Sequence, residues 1–166
     1  FDYFLAGLHN RLSDEQIHGL HIFRTKGQCM NCHYGPFMTD NKFHHINTAF
    51  YKDPIRQDLG LYNTTKDPKD AGKFRTPGLR NVMMTGPWFH NGIIRDMRVL
   101  MTQYNMGMRM LGTVYTSPDP KDELRPVISP HIRPLGLNSK EIEAVIAFME
   151  SLTTISANEE YPILPQ

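Results

Sequence analysis

The chain holds two cysteines, Cys29 and Cys32, three positions apart, and His33 follows the second directly. Three chemistries use such an arrangement: a redox dithiol, half of a zinc site, or the covalent attachment of haem. A structural zinc site needs four nitrogen or sulfur ligands, usually from a second Cys or His pair. No third cysteine exists, and His44 and His45 are adjacent, so their side chains do not converge on one tetrahedral ion. A thioredoxin-like dithiol needs a βαβ setting, whereas turn-rich chain follows here. A disulfide closing so short a loop adds little stability. Covalent haem c fits: two thiols at this spacing add to the two vinyl groups of one porphyrin edge, and His33 presents its imidazole to the iron. Haem c is attached outside the cytoplasm, so the expected compartment is the periplasm or its equivalent.

The elements that must position these residues are few. At 166 residues the chain suits one domain spanning 1–166, long enough for a real core. Hydrophobic residues make up 40% and charged residues 21%, with 12 Gly and 12 Pro, a composition rich in loop. A net charge of +1 gives no reason to expect nucleic acid or an anionic membrane surface as partner. No apolar run approaches the roughly 18 residues of a membrane span. The opening "FDYFLAG" lacks Met and a leader pattern, and reads as cut from a longer precursor.

Ser13 and Gln16 form a capping-box pattern, which predicts a helix with Ile17, Leu20 and Phe23 on its apolar face, running towards Cys29. Residues 34–78 are turn material without a persistent strand pattern. A second helix is expected within 95–105, ended by Gly107 as a left-handed cap. Residues 112–136 carry five prolines and read as a long tethered loop. Asn138 caps the last helix, with Glu141 at its third position and Ile142, Val145, Ile146, Met149 and Leu152 as one stripe. The expectation is an all-α, cytochrome c-like domain, with few helices and long loops around one covalent haem c. So little helix rarely orders so much loop unaided, and a large apolar cofactor would make up the core.

Haem chemistry depends on the sixth ligand: a weak or absent one permits peroxide chemistry, a strong one favours electron transfer. Met101, Tyr104, Met106, Met108, Met110 and several histidines are the candidates. The stretch "KFRTPGLRNVMMTGPWFHNG" (73–92) resembles the one that follows the second haem in bacterial di-haem cytochrome c peroxidases and MauG-type enzymes. "QCMNCHYGPFMTDNKFHH" before it, and "QYNMG" and "IRPLGLNSKEIEAVIAFMESLT" after it, resemble the same family in the same order. The resemblance implies the C-terminal of the family's two haem domains. It places the axial residue twelve positions beyond the glycine of "FHxG", here Gly92, which gives Tyr104. Peroxidase members have Met there and MauG-like members Tyr; Met101, one turn earlier, is the alternative distal ligand.

The resemblance also implies a calcium ion held by the backbone oxygens of Thr85 and Pro87. Arg80 is expected to pair with a haem propionate by charge and planarity, and Trp88 to lie on an electron path or in packing. The family's N-terminal haem domain, which reacts with peroxide, is absent from this chain, so no catalytic residue is assigned. The implied function is a haem c oxidoreductase domain that works with a second haem domain or subunit, with hydrogen peroxide as oxidant. A small electron-donor protein or an oxidised protein substrate would be the partner, and a homodimer is in keeping with the family. The competing reading is a stand-alone mono-haem electron carrier without catalysis.

Overall fold

The computed structural model describes residues 1–109 and 121–154. Among these, five α-helices run in chain order: α1 (Asp2–Leu5), α2 (Asp14–Arg24), α3 (Tyr62–Thr65), α4 (Met97–Asn105) and α5 (Ser139–Ser151). Short 3-10 turns and a two-residue antiparallel ladder complete the set. The ladder pairs β1 (Phe43–His44) with β2 (Phe74–Arg75), Phe43 opposite Arg75 and His44 opposite Phe74. The architecture is thus helix-rich rather than purely helical. The ladder and α3 fall inside the stretch that the sequence marks as irregular, and both are too short to leave a periodic pattern.

Both long helices start on reciprocal caps. Ser13 Oγ accepts from the Gln16 N–H while the Gln16 side chain accepts from the Ser13 N–H; Asn138 and Glu141 do the same at α5. Each box satisfies two orphan donors. α4 starts on Asp96, whose carboxylate accepts from the Val99 N–H at 2.9 Å. It ends as a Schellman motif: Met108 N–H bonds to Gln103 O at 2.8 Å and Gly107 N–H to Tyr104 O at 2.9 Å, with Gly107 at φ +67.

The core is the crossing of α2 and α5. A Cβ on Gly19 would come 1.8 Å from Ala144 O and 2.9 Å from Phe148 Cβ, so only glycine lets the two backbones approach this closely. That contact rotates α2 relative to the expected face. Gly19, Ile22 and Phe23 are buried, whereas Ile17, expected inside, is 37% exposed. On α5 the expected stripe is inside at Ile142, Val145, Met149 and Leu152, joined by Ala144 and Phe148; Ile146 is partly buried against it. Phe148 meets Phe23 edge-on at 5.1 Å and Phe1 at 5.4 Å. α4 joins the same cluster through Met97 and Met101.

Candidate functional site

Gly27 and Gln28 turn the chain out of α2. Gln28 adopts a left-handed conformation at φ 51, and Cys29–Asn31 form a single 3-10 turn. Cys32 N–H and His33 N–H both bond to Cys29 O, at 3.2 and 2.9 Å. This one turn sets both thiols and the imidazole on the wall of one cavity of about 410 Å³. The size falls within the range of ligand pockets.

His33 Nδ1 lies 3.0 Å from Met38 O. A carbonyl only accepts, so Nδ1 carries the proton and Nε2 keeps its lone pair, the arrangement that fixes a metal-ligating histidine. Burial is the largest influence and lowers the His33 pKa, opposed by the bond to Met38 O and by Asp40. The neutral, ligating form is favoured. Burial pushes the Cys29 thiol up to about 12, and Cys32 upward too, with Asp40 adding to its shift.

To the same lining, α4 contributes Met97, Leu100, Met101 and Tyr104. Tyr104 tilts against Phe89 at 6.3 Å between ring centroids. Burial, with Cys29 and Cys32 adding, raises its phenol pKa above the ordinary value of 10, so the hydroxyl keeps its proton unless a cation faces it. Of the expected distal candidates, Tyr104 and Met101 line the cavity. Met106 and Met108 do not, Met108 being fully buried elsewhere, and Met110 lies outside the described residues. The remaining wall is largely apolar: Phe23, Leu79, Val82, Trp88, Val145 and Met149 among others, and no Asp or Glu. Trp88 donates its indole N–H to Val82 O at 2.9 Å.

Not every expected site residue arrives. Arg80 is outside the cavity lining: it donates to Pro36 O and holds the Asp2 carboxylate with bonds of 2.7 and 3.0 Å. Thr85 lines the cavity, while Pro87 does not and follows a cis Gly86–Pro87 bond. Arg75 and Arg133 reach the cavity instead. Arg75 comes by way of the β ladder, and Arg133 from a segment against which α4 ends. His44, His90 and His131 also line it. The adjacent His44 and His45 diverge, His44 Nε2 to Asp40 at 2.8 Å and His45 Nδ1 to Gly72 O at 2.8 Å. The signal that could have found the arginines is charge. Acids are scarce in the cavity segments, and these two cations have neutral partners.

A largely apolar cavity lined by two thiols, an imidazole and a phenol offers the donor set that a covalently attached haem requires. No family model matches the chain. A cytochrome-c peroxidase (IdrP1) of Pseudomonas sp. strain SCT is 33% identical over 179 aligned residues, spanning 92% of this chain and 44% of the relative. The methylamine utilization protein MauG of Methylorubrum extorquens is 26% identical, across 99% of the chain and 42% of its own length. A solved MauG-like protein associated with microbial copper homeostasis superposes with a TM-score of 0.72 at 25% identity, covering 92% of this chain and 47% of that one.

The chain belongs to the di-haem cytochrome c peroxidase and MauG family. It corresponds to the C-terminal half of these proteins and spans less than half the length of the curated relatives it matches. No helix among the described residues is long and apolar enough to cross a membrane.

Proposed function

We propose that residues 1–166 form one cytochrome c-type domain wrapped around a single haem c, attached through Cys29 and Cys32, with His33 and Tyr104 as axial ligands. The observation that carries this reading is that Cys29, Cys32, His33 and Tyr104 all line one largely apolar cavity. The haem supplies one-electron chemistry when bound; the chain's own residues do the rest. Met38 O holds the His33 tautomer, the capped α4 fixes Tyr104, and Phe23, Leu79, Val82, Val145 and Met149 keep water from the ring faces.

A phenolate is a hard anionic donor that favours ferric iron and a low reduction potential; a thioether at Met101 would raise it. With Tyr104 in place the domain acts as the six-coordinate electron-transfer half of a di-haem oxidoreductase. Its second haem domain or subunit reacts with hydrogen peroxide. The partner is a small electron-donor protein or an oxidised protein substrate, and the compartment is the periplasm. Support for this comes from relatives named as cytochrome-c peroxidases and MauG. The exposed Thr85 and Pro87 leave room for a calcium ion at the junction with that second domain, held by their backbone oxygens. No backbone N–H bonds to either oxygen among the described residues, and oxygen ligation suits this ion.

Expression with a haem c maturation system tests the reading. The intact chain should gain the mass of one haem, and Cys29→Ser with Cys32→Ser should gain none. A wild-type chain without covalent haem would sink it.

A further inference from the structure

Tyr104 stands in the last turn of α4, directly before the helix ends at Asn105. Last turns fray, because their carbonyls have no partner within the helix. Among the described residues the Tyr104 hydroxyl has no hydrogen-bond partner, and its ring leans on Phe89. The position of this side chain is therefore set by the backbone that carries it. Met101 is the competitor in the same lining. Three residues earlier, it lies about 60° away around the helix axis and about 4.5 Å along it. A modest turn or slide of α4 would exchange the two in the cavity.

Polar ties hold α4 at both ends, and they are unequal. At the start Arg98 meets Glu143, an ion pair whose side chains are 63% and 33% exposed. Exposed pairs of this kind contribute little. At the end the partly buried Asn105 is bonded to a single neighbouring segment. Its Nδ2 donates to Leu137 O at 2.9 Å, and its Oδ1 accepts from the Leu137 N–H at 2.7 Å. Its own carbonyl accepts from the Leu135 N–H at 3.0 Å.

The Asn105 amide thus behaves as a peptide group would in a ladder, with donor and acceptor both satisfied on Leu137. Leu137 directly precedes Asn138, the cap of α5, and Leu135 lines the cavity. Asn47 also grips this region, its Nδ2 donating to Met108 O at 2.8 Å. That bond falls past the Gly107 turn, on loop rather than helix. The Asn105 bridge is therefore what ties the turn bearing Tyr104 to the cavity lining.

We propose that Asn105 is a positioning residue that selects Tyr104 over Met101 as the distal ligand, by fixing the rotation and height of the last turn of α4. This rests on the haem-bearing reading above and names the residue that decides its ligand. Asn105 is not part of the cavity lining, so it acts through the backbone.

The ferric, haem-loaded chain offers two readouts that a merely structural residue would not move. One is the near-infrared band of a thioether ligand; the other is the affinity for added imidazole, which must displace the distal ligand. Asn105→Ala removes both side-chain bonds to Leu137. It should let the thioether band appear and tighten imidazole binding by about tenfold. Adding Met101→Leu should abolish the new band. Asn105→Asp keeps the acceptor for the Leu137 N–H and loses the donor, so it should move both readouts less. It also decides the matter should Asn105→Ala take up no haem. Ser13→Ala removes the cap of α2 and should lower thermal stability with both readouts unchanged. No band and an unchanged imidazole affinity in the Asn105 variants, or equal shifts in Ser13→Ala, would overturn the positioning role. A thioether band already present in wild type, or no covalent haem, would instead overturn the reading beneath it, and the inference with it.

Discussion

Gly19 and Ala144 bring α2 and α5 together at a distance no side chain permits: a Cβ on Gly19 would sit 1.8 Å from the Ala144 carbonyl oxygen. Both helices feed the cavity from that crossing, α2 by leading into the Cys29 turn and α5 by supplying Val145 and Met149. This close crossing thus sets part of the site's lining.

Gly19→Ala should therefore cost more than an ordinary overpacking, about 3 kcal/mol, because the obstacle is backbone and cannot rotate away. Urea unfolding of the haem-loaded chain checks it. A midpoint within error of wild type would mean that the crossing relaxes freely.

Gly107→Ala probes the end of α4. At φ +67 a side chain is strained, and its Cβ would lie 2.8 Å from Pro134 N. The expected cost is about 1–2 kcal/mol from the left-handed conformation and the contact together. Since the Gly107 N–H bonds to Tyr104 O, the optical spectrum should shift as well. Lost stability with an unchanged spectrum would show that the cap does not hold Tyr104.

Acid should weaken the fold in two windows. Burial lowers the pKa of His45, opposed by its bond to Gly72 O. The folded state then binds its proton less readily than the unfolded chain. The stability this gives is complete above the ordinary value of 6.5 and is lost as pH falls below it. His90, depressed mainly by burial, adds in the same direction. Asp40 acts lower. Burial pushes its carboxyl up, but hydrogen bonds from His44, Lys42 N–H and Thr76 outweigh it and hold it at about 2. Its contribution is complete above 3.8 and lost as pH falls towards 2. Thermal unfolding from pH 8 to 5 should show the first loss, and His45→Gln should flatten it.

Legibility in the sequence followed the range of the interaction. Both capping boxes, the Schellman glycine and the Cys29–Cys32–His33 turn were readable because each is closed by residues within a few positions of one another. The face of α2 was not readable, because its rotation depends on Gly19 meeting a helix more than a hundred positions away. Arg80 failed to reach the cavity for the same reason. A long cation takes the nearest carboxylate in space, and that is Asp2, while Arg75 and Arg133 are delivered by a two-residue ladder and a distant loop. The expectation of Tyr104 rests on family spacing; its own helix also offers Met101, three positions earlier and in the same cavity lining.

The choice between those two residues is the central claim, and the near-infrared spectrum of the ferric, haem-loaded chain tests it most directly. A thioether on ferric haem gives a sulfur-to-iron charge-transfer band, and a phenolate does not. The account expects no such band in wild type, its appearance in Tyr104→Met, and no change in Met101→Leu. A band present in wild type and abolished by Met101→Leu would contradict it, and would make the domain a His/Met electron-input module.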